Sequence, residues 1–156
     1  MEVNWYSKLG LAERQLDRAI ILYLDEKDYI SAITLAGVAE EILGKILNKN
    51  GQKNAIDDYI EGFLSHDIDG ELKDYEKWFV KELNYYRNNL KHLEVPHVGN
   101  SPYAGELPCT DIPIYAAAVT DVIYRALKNH SRICTQSEFY IKKLNLTINR
   151  FYVSEQ

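Results

Sequence analysis

Cysteine is scarce: Cys109 and Cys134 are the only two, with no C-x-x-C pair and no paired histidines beside them. Such spacing offers neither a disulfide framework nor a zinc site. There is no 20-residue apolar run, and no basic stretch leads into an apolar one. Neither a membrane span nor a secretory signal is therefore indicated, and the cytoplasm is the expected location. Low-complexity tracts are absent too. An excess of positive charge is also missing: 18 Lys and Arg face 23 Asp and Glu, for a formal charge of -5. Proteins that coat nucleic acid nonspecifically rely on a broad basic surface, so any RNA or nucleotide contact has to be local. What remains is ordinary globular material, 156 residues, 46% hydrophobic and 26% charged. That is enough for one domain over 1–156, able to bury roughly 68 to 70% of its unfolded surface.

Leu9, Ala12, Leu16, Ile20 and Tyr23 recur at steps of three and four, predicting a first helix over about 4–25. Asp28 can cap a second, YISAITLAGVAEEILGKIL, apolar around most of its circumference until Glu40 and hence a central, buried helix. Gly37 and Gly44, beside Ala36 and Ala39, mark a side that a neighbouring backbone can approach closely. Residues 54–64 read as a short helix. Over 71–93, Leu72, Tyr75, Phe79, Leu83, Tyr86, Leu90 and Leu93 form an unbroken stripe, predicting the longest helix of the chain. Val95 precedes proline and is biased away from helical angles, so this helix ends near Leu93. A connector over 94–110 carries Pro96, Pro102, Pro108, Gly99 and Gly105, and structureless connectors of this length are often functional. Thr110 or Asp111 is expected to cap a fifth helix through about Asn129, with Pro113 in its first turn. Beyond it, 139–151 fits a sixth helix, although LNLTINRFYV also alternates as a strand would. Helix is preferred because no second strand is available to pair with it. The expected fold is an all-α, up-and-down helical bundle of five to six helices, with a core over about 4–129, a C-terminal extension over 130–156 and a long loop after the fourth helix.

The end of the fourth helix, YYRNNLKHL, is oddly polar. On a helical wheel with Phe79 at zero, Arg87 falls near about 80°, Lys91 about 120°, Asn84 about 140°, Asn88 about 180° and His92 about 220°. These five make one polar arc opposite the core stripe, and no carboxylate interrupts it. Asparagine is a poor helix former, so Asn84, Asn88 and Asn89 read better as hydrogen-bonding equipment than as a solubility face. Arginine clamps phosphate through its planar fork, and histidine titrates near neutrality and moves protons. A two-fold axis near this surface would gather two arginines and two histidines around one cleft. Glu40, on the small-residue side of the second helix, either holds Arg87 from next door or belongs to an exposed patch. Glu41 reads as a surface partner of Lys45.

Arg87-Asn88-Asn89-Leu90-Lys91-His92 resembles the R-x-x-x-x-H signature of HEPN domains, including a polar residue after the arginine. The alanine-rich second helix with embedded acids is similar as well, and the likeness covers about 9–129. The resemblance implies a dimerising helical bundle whose active members are metal-independent endoribonucleases with Arg and His at the dimer cleft. On that likeness Arg87 would hold the scissile phosphate, His92 would transfer protons as the ribose 2′-hydroxyl attacks, and Asn88 would orient the substrate. Asn84, Lys91 and Glu40 are the accompanying substrate-site candidates, with no metal or cofactor and a cyclic 2′,3′-phosphate product. The implied setting is a toxin or defence effector, acting alone or restrained by a nucleotidyltransferase antitoxin. The other class left open is a non-catalytic HEPN-like module that docks a nucleotide or a protein.

The string alone is weak: six arginines and four histidines in 156 positions give about 0.15 matches by chance. Arg125 to His130 has the same spacing at the end of the fifth helix. There Ala126 follows the arginine, and Lys128, His130 and Arg132 read as cations complementing a helix C-terminus. The polar arc and the Arg-Asn pair favour the first copy.

Overall fold

The computed structural model describes residues 5–67, 70, 72–91, 112, 114–133 and 138–155, with only the backbone described at 91 and 138–145. Among these residues every regular element is helical, and the chain is an all-α helical bundle. The first helix, α1, spans Lys8–Ile21, shorter than expected because Ser7 caps it: its hydroxyl accepts from the Gly10 N–H at 2.9 Å. A π turn, Leu22–Glu26, follows, and Lys27 in the left-handed region (φ 54°) ends it. The chain then doubles back into α2, Tyr29–Lys49, whose cap is Asp28 as expected, accepting from the Ser31 N–H at 3.0 Å.

The bundle is organised around α2, which packs chiefly against α1 and against α6, Ala116–Arg132. Its buried side alternates small and large residues: Ala32, Ile33, Ala36, Gly37, Ala39, Leu43, Gly44 and Leu47. Fully buried Leu16 and Ile20 face them from α1, and Val119 and Ile123 from α6. Each such side chain contributes about 1.5–3 kcal/mol of burial. The two glycines admit side chains rather than backbone. A methyl on Gly37 would lie 3.6 Å from the Arg87 stem, and one on Gly44 3.5 Å from Asn129 and Asn54.

Helix α3, Ala55–Leu64, starts on a reciprocal cap in which Asn54 and Asp57 satisfy each other's backbone N–H groups. Over 71–93 the expectation of one long helix is wrong. A 3-10 turn, Leu72–Tyr75, leads into α4, Glu76–Leu83; Asn84 leaves helical geometry, and α5, Tyr85–Lys91, follows. Among the described residues the longest helix is α2, at 21 residues. Nor is the stripe a core stripe throughout, since no residue of α4 is buried and Tyr75 is 54% exposed. Phe79 instead stacks on Phe63 of α3, with centroids 4.5 Å apart, while Tyr86 and Leu90 of α5 pack at the edge of the core. Local periodicity saw the repeat but not the shallow docking. Leu93 and the 94–110 connector lie outside the described residues.

The next helix, α6, is Ala116–Arg132, beginning later than the expected cap at Thr110 or Asp111. Ile112 precedes a proline and is pushed away from helical angles, Tyr115 is extended, and the helix starts only with the alanine run. The ambiguous tail is helical: α7 spans Glu138–Ser154. It is built into the bundle rather than appended, because Phe151 is fully buried between Tyr23 and Tyr124 and α7 packs along α1. Among the described residues no helix is long and apolar enough to cross a membrane.

Candidate functional site

The polar arc read from the sequence is divided by the fold. Asn88 is exposed, as an outward face requires. Asn84 is not: it is 7% exposed and sits at the break between α4 and α5, where its Nδ2 donates to the Val80 carbonyl at 2.8 Å. Its Oδ1 is enclosed with no hydrogen-bond partner among the described residues. The wheel erred because it assumed unbroken helix through that position. Arg87 turns toward α2, its stem lying over Gly37 and its guanidinium near two acids. The side chain of Lys91, and the whole of His92, His97 and Tyr103, lie outside the described residues.

Glu40 is 3% exposed, which decides between its two readings in favour of the inward one. Its Oε2 lies 3.9 Å from Arg87, and its Oε1 lies 3.6 Å from the Nε of Arg125. The carboxyl is thus set between two guanidinium groups that come from different helices. Burial pushes its pKa above the usual carboxylate range, against the pull of Arg125 and Arg87. Glu41 reaches Arg87 at 4.0 Å and pairs with Lys45 at 2.6 Å, the four-residue partner foreseen for it. Both acid contacts to Arg87 are ion-pair distances beyond hydrogen-bond reach. They orient the fork without engaging its N–H groups, and its side chain keeps 21% of its surface open.

Arg125 is the residue that the sequence reading missed. It is 3% exposed, and besides Glu40 it engages Asp121 of its own helix and donates from Nη2 to the Leu83 carbonyl at 2.9 Å. The guanidinium also lies 6.0 Å from the Tyr59 ring centroid, and the Tyr59 hydroxyl donates to Asp121 at 3.0 Å. Burial and that carboxylate together raise the Tyr59 pKa. Asn129, one turn on and also buried, accepts from the Ala55 N–H at 2.6 Å and donates to the Glu40 carbonyl at 3.3 Å. His130 faces buried Glu13 at 3.0 Å. The signal was present in the sequence: Val122, Arg125 and Asn129 share a helix face with Ala126, while the last turn of α6 carries the cations His130 and Arg132 as expected.

Among the described residues no three His, Cys, Asp or Glu side chains cluster as a metal site would require. A shallow groove of about 410 Å³ is lined by Tyr59, Tyr124, Arg125, Lys128 and Tyr152. Its exposed cation is engaged, since Lys128 pairs with Asp58 at 2.7 Å.

These features define the class as a helical bundle with a buried Arg125–Glu40 pair beneath a partly open arginine, Arg87. Comparison of the chain with protein-family models, with curated proteins and with solved structures finds no match.

Proposed function

We propose that the protein is a HEPN-type endoribonuclease, with Arg87 as the group that grips the scissile phosphate. The observation that carries this reading is the contrast between the two R-x-x-x-x-H segments. Arg125 is enclosed and engaged on several sides, whereas Arg87 is held by acids at arm's length and keeps an open face beside exposed Asn88. A guanidinium fork in that state can take two phosphate oxygens. In the proposed reaction the ribose 2′-oxygen attacks phosphorus and gives up its proton, the bond to the 5′-oxygen breaks, and that oxygen leaves protonated. His92 is assigned the proton transfers, Asn88 the orientation of the sugar-phosphate, and Lys91 added charge toward the backbone. The reaction needs no metal and ends in a cyclic 2′,3′-phosphate.

A homodimer that joins two such clefts, a cytoplasmic site of action and restraint by an antitoxin partner belong to the same proposal. Purified protein should cleave RNA in the presence of EDTA, and His92→Ala and Arg87→Ala should each abolish cleavage. Undiminished cleavage by either variant would sink the assignment. Light scattering should find a dimer at micromolar concentration, and a monomer would remove the shared cleft.

A second reading has one observation in its favour: Glu40 and Glu41 both face Arg87 and offset part of its charge. A nucleotide- or protein-binding module tolerates that better than a phosphoryl-transfer site does. It predicts no RNA product and equal ligand affinity in wild type and His92→Ala.

A further inference from the structure

We propose that Arg125 is the positioning residue of the Arg87 site, acting through Glu40 and through the backbone at the α4–α5 break. The inference rests on the reading of Arg87 as a ligand-gripping group. Arg125 touches both supports that place Arg87. One is the carboxyl of Glu40, whose Oε1 faces Arg125 at 3.6 Å while its Oε2 faces Arg87 at 3.9 Å. The other is the Leu83 carbonyl, the last of α4, which accepts from Arg125 at 2.9 Å. Asn84 follows directly, and Arg87 stands one turn beyond it on α5. A single guanidinium therefore fixes the carboxylate opposite Arg87 and the point from which its helix departs.

The chemistry of the fork explains why an arginine is needed. Nη2 serves Leu83, Nη1 serves Asp121, and Nε is turned toward Glu40, so three directions are covered by one rigid plane. A lysine ammonium is a compact charge at the end of a flexible stem and cannot address all three. The Nε of Arg125 is fully enclosed with no hydrogen-bond partner among the described residues; the bonds of Nη1 and Nη2 hold the plane that turns it toward Glu40. A buried arginine is expensive, and the same helix could have closed on water or a backbone cap. Its placement at 3% exposure, bridging α2, α4 and α6, ties three helices to the bed of Arg87.

The test is Arg125→Lys in protein shown by circular dichroism to be folded. The Nε–H resonance of Arg87 in ¹⁵N-labelled protein, assigned through Arg87→Lys, should shift, and RNA cleavage should fall by on the order of ten- to a hundredfold. Where Arg125→Lys does not fold, Asp121→Asn loosens Arg125 from a half-exposed partner and should shift the same resonance by less. An unmoved Arg87 resonance in the folded variant overturns the positioning role. If wild type cleaves no RNA, the ribonuclease reading falls, and the resonance still decides for or against Arg125.

Discussion

Arg87 and Arg125 face the same buried carboxyl from two sides, yet one keeps 21% of its side chain open and the other 3%. The spacing to a histidine five residues on is identical in the two segments, so the difference comes from where each helix lies. α6 crosses the middle of α2, and a cation there must be paired or it cannot remain charged. α5 is a seven-residue helix at the edge, where the acids of α2 reach its arginine only at 3.9 and 4.0 Å. A string that signals chemistry at the rim of a bundle thus signals construction at its centre.

Five measurements would sharpen or break that contrast. Arg125→Met should have the largest effect, a loss of about 3–5 kcal/mol in urea unfolding, because buried Glu40 keeps only its longer ion pair to Arg87 and the Leu83 carbonyl loses its donor. Adding Glu40→Leu should recover part of it; a purely additive double variant would mean that the two side chains do not form a pair. Asn129→Ala comes next, at about 1–3 kcal/mol, since the first N–H of α3 loses its buried acceptor. The pH dependence of Glu40→Gln is third. A carboxyl whose folded-state pKa is raised by burial contributes stability that is complete below its unfolded pKa and is lost as pH rises through the folded value. Glu40→Gln should therefore gain on wild type as pH climbs from the ordinary glutamate range toward neutrality, and a gain in the opposite direction would show that the two arginines outweigh burial. Gly37→Ala should raise stability by about 0.5–1 kcal/mol, because the added methyl meets the Arg87 stem at an ordinary contact distance. Arg87→Ala should be the mildest, within about 1 kcal/mol, as its ion pairs are long and partly solvated. If Arg87→Ala instead matches Arg125→Met, the rim arginine is structural and the contrast fails.

Much of the architecture was legible because local rules govern it. The cap at Asp28, the apolar circumference of α2 and the Glu41–Lys45 pair each depend on residues within four positions. The break at Asn84 was not legible because only part of it is local: Asn84 turns its amide back on the Val80 carbonyl, while Arg125 on α6 takes the Leu83 carbonyl. The same distance hid the burial of Phe151. At the site, the direction of Glu40 toward Arg87 was one of two readings that its place on the small-residue side of α2 allowed, while the role of Arg125 was not read at all. Burial depends on which helices meet, and helix periodicity says nothing of that.

A consequence follows from the interruption at Asn84 for how this segment can change. In an unbroken helix, one inserted residue rotates everything beyond it by about 100°, and Arg87 would swing away from Glu40. Here the Asn84 N–H still bonds the Val80 carbonyl at 3.2 Å and the Asn88 N–H bonds the Asn84 carbonyl at 3.0 Å, so the interruption passes helical phase on and the register of α5 against Gly37 depends on the length of α4.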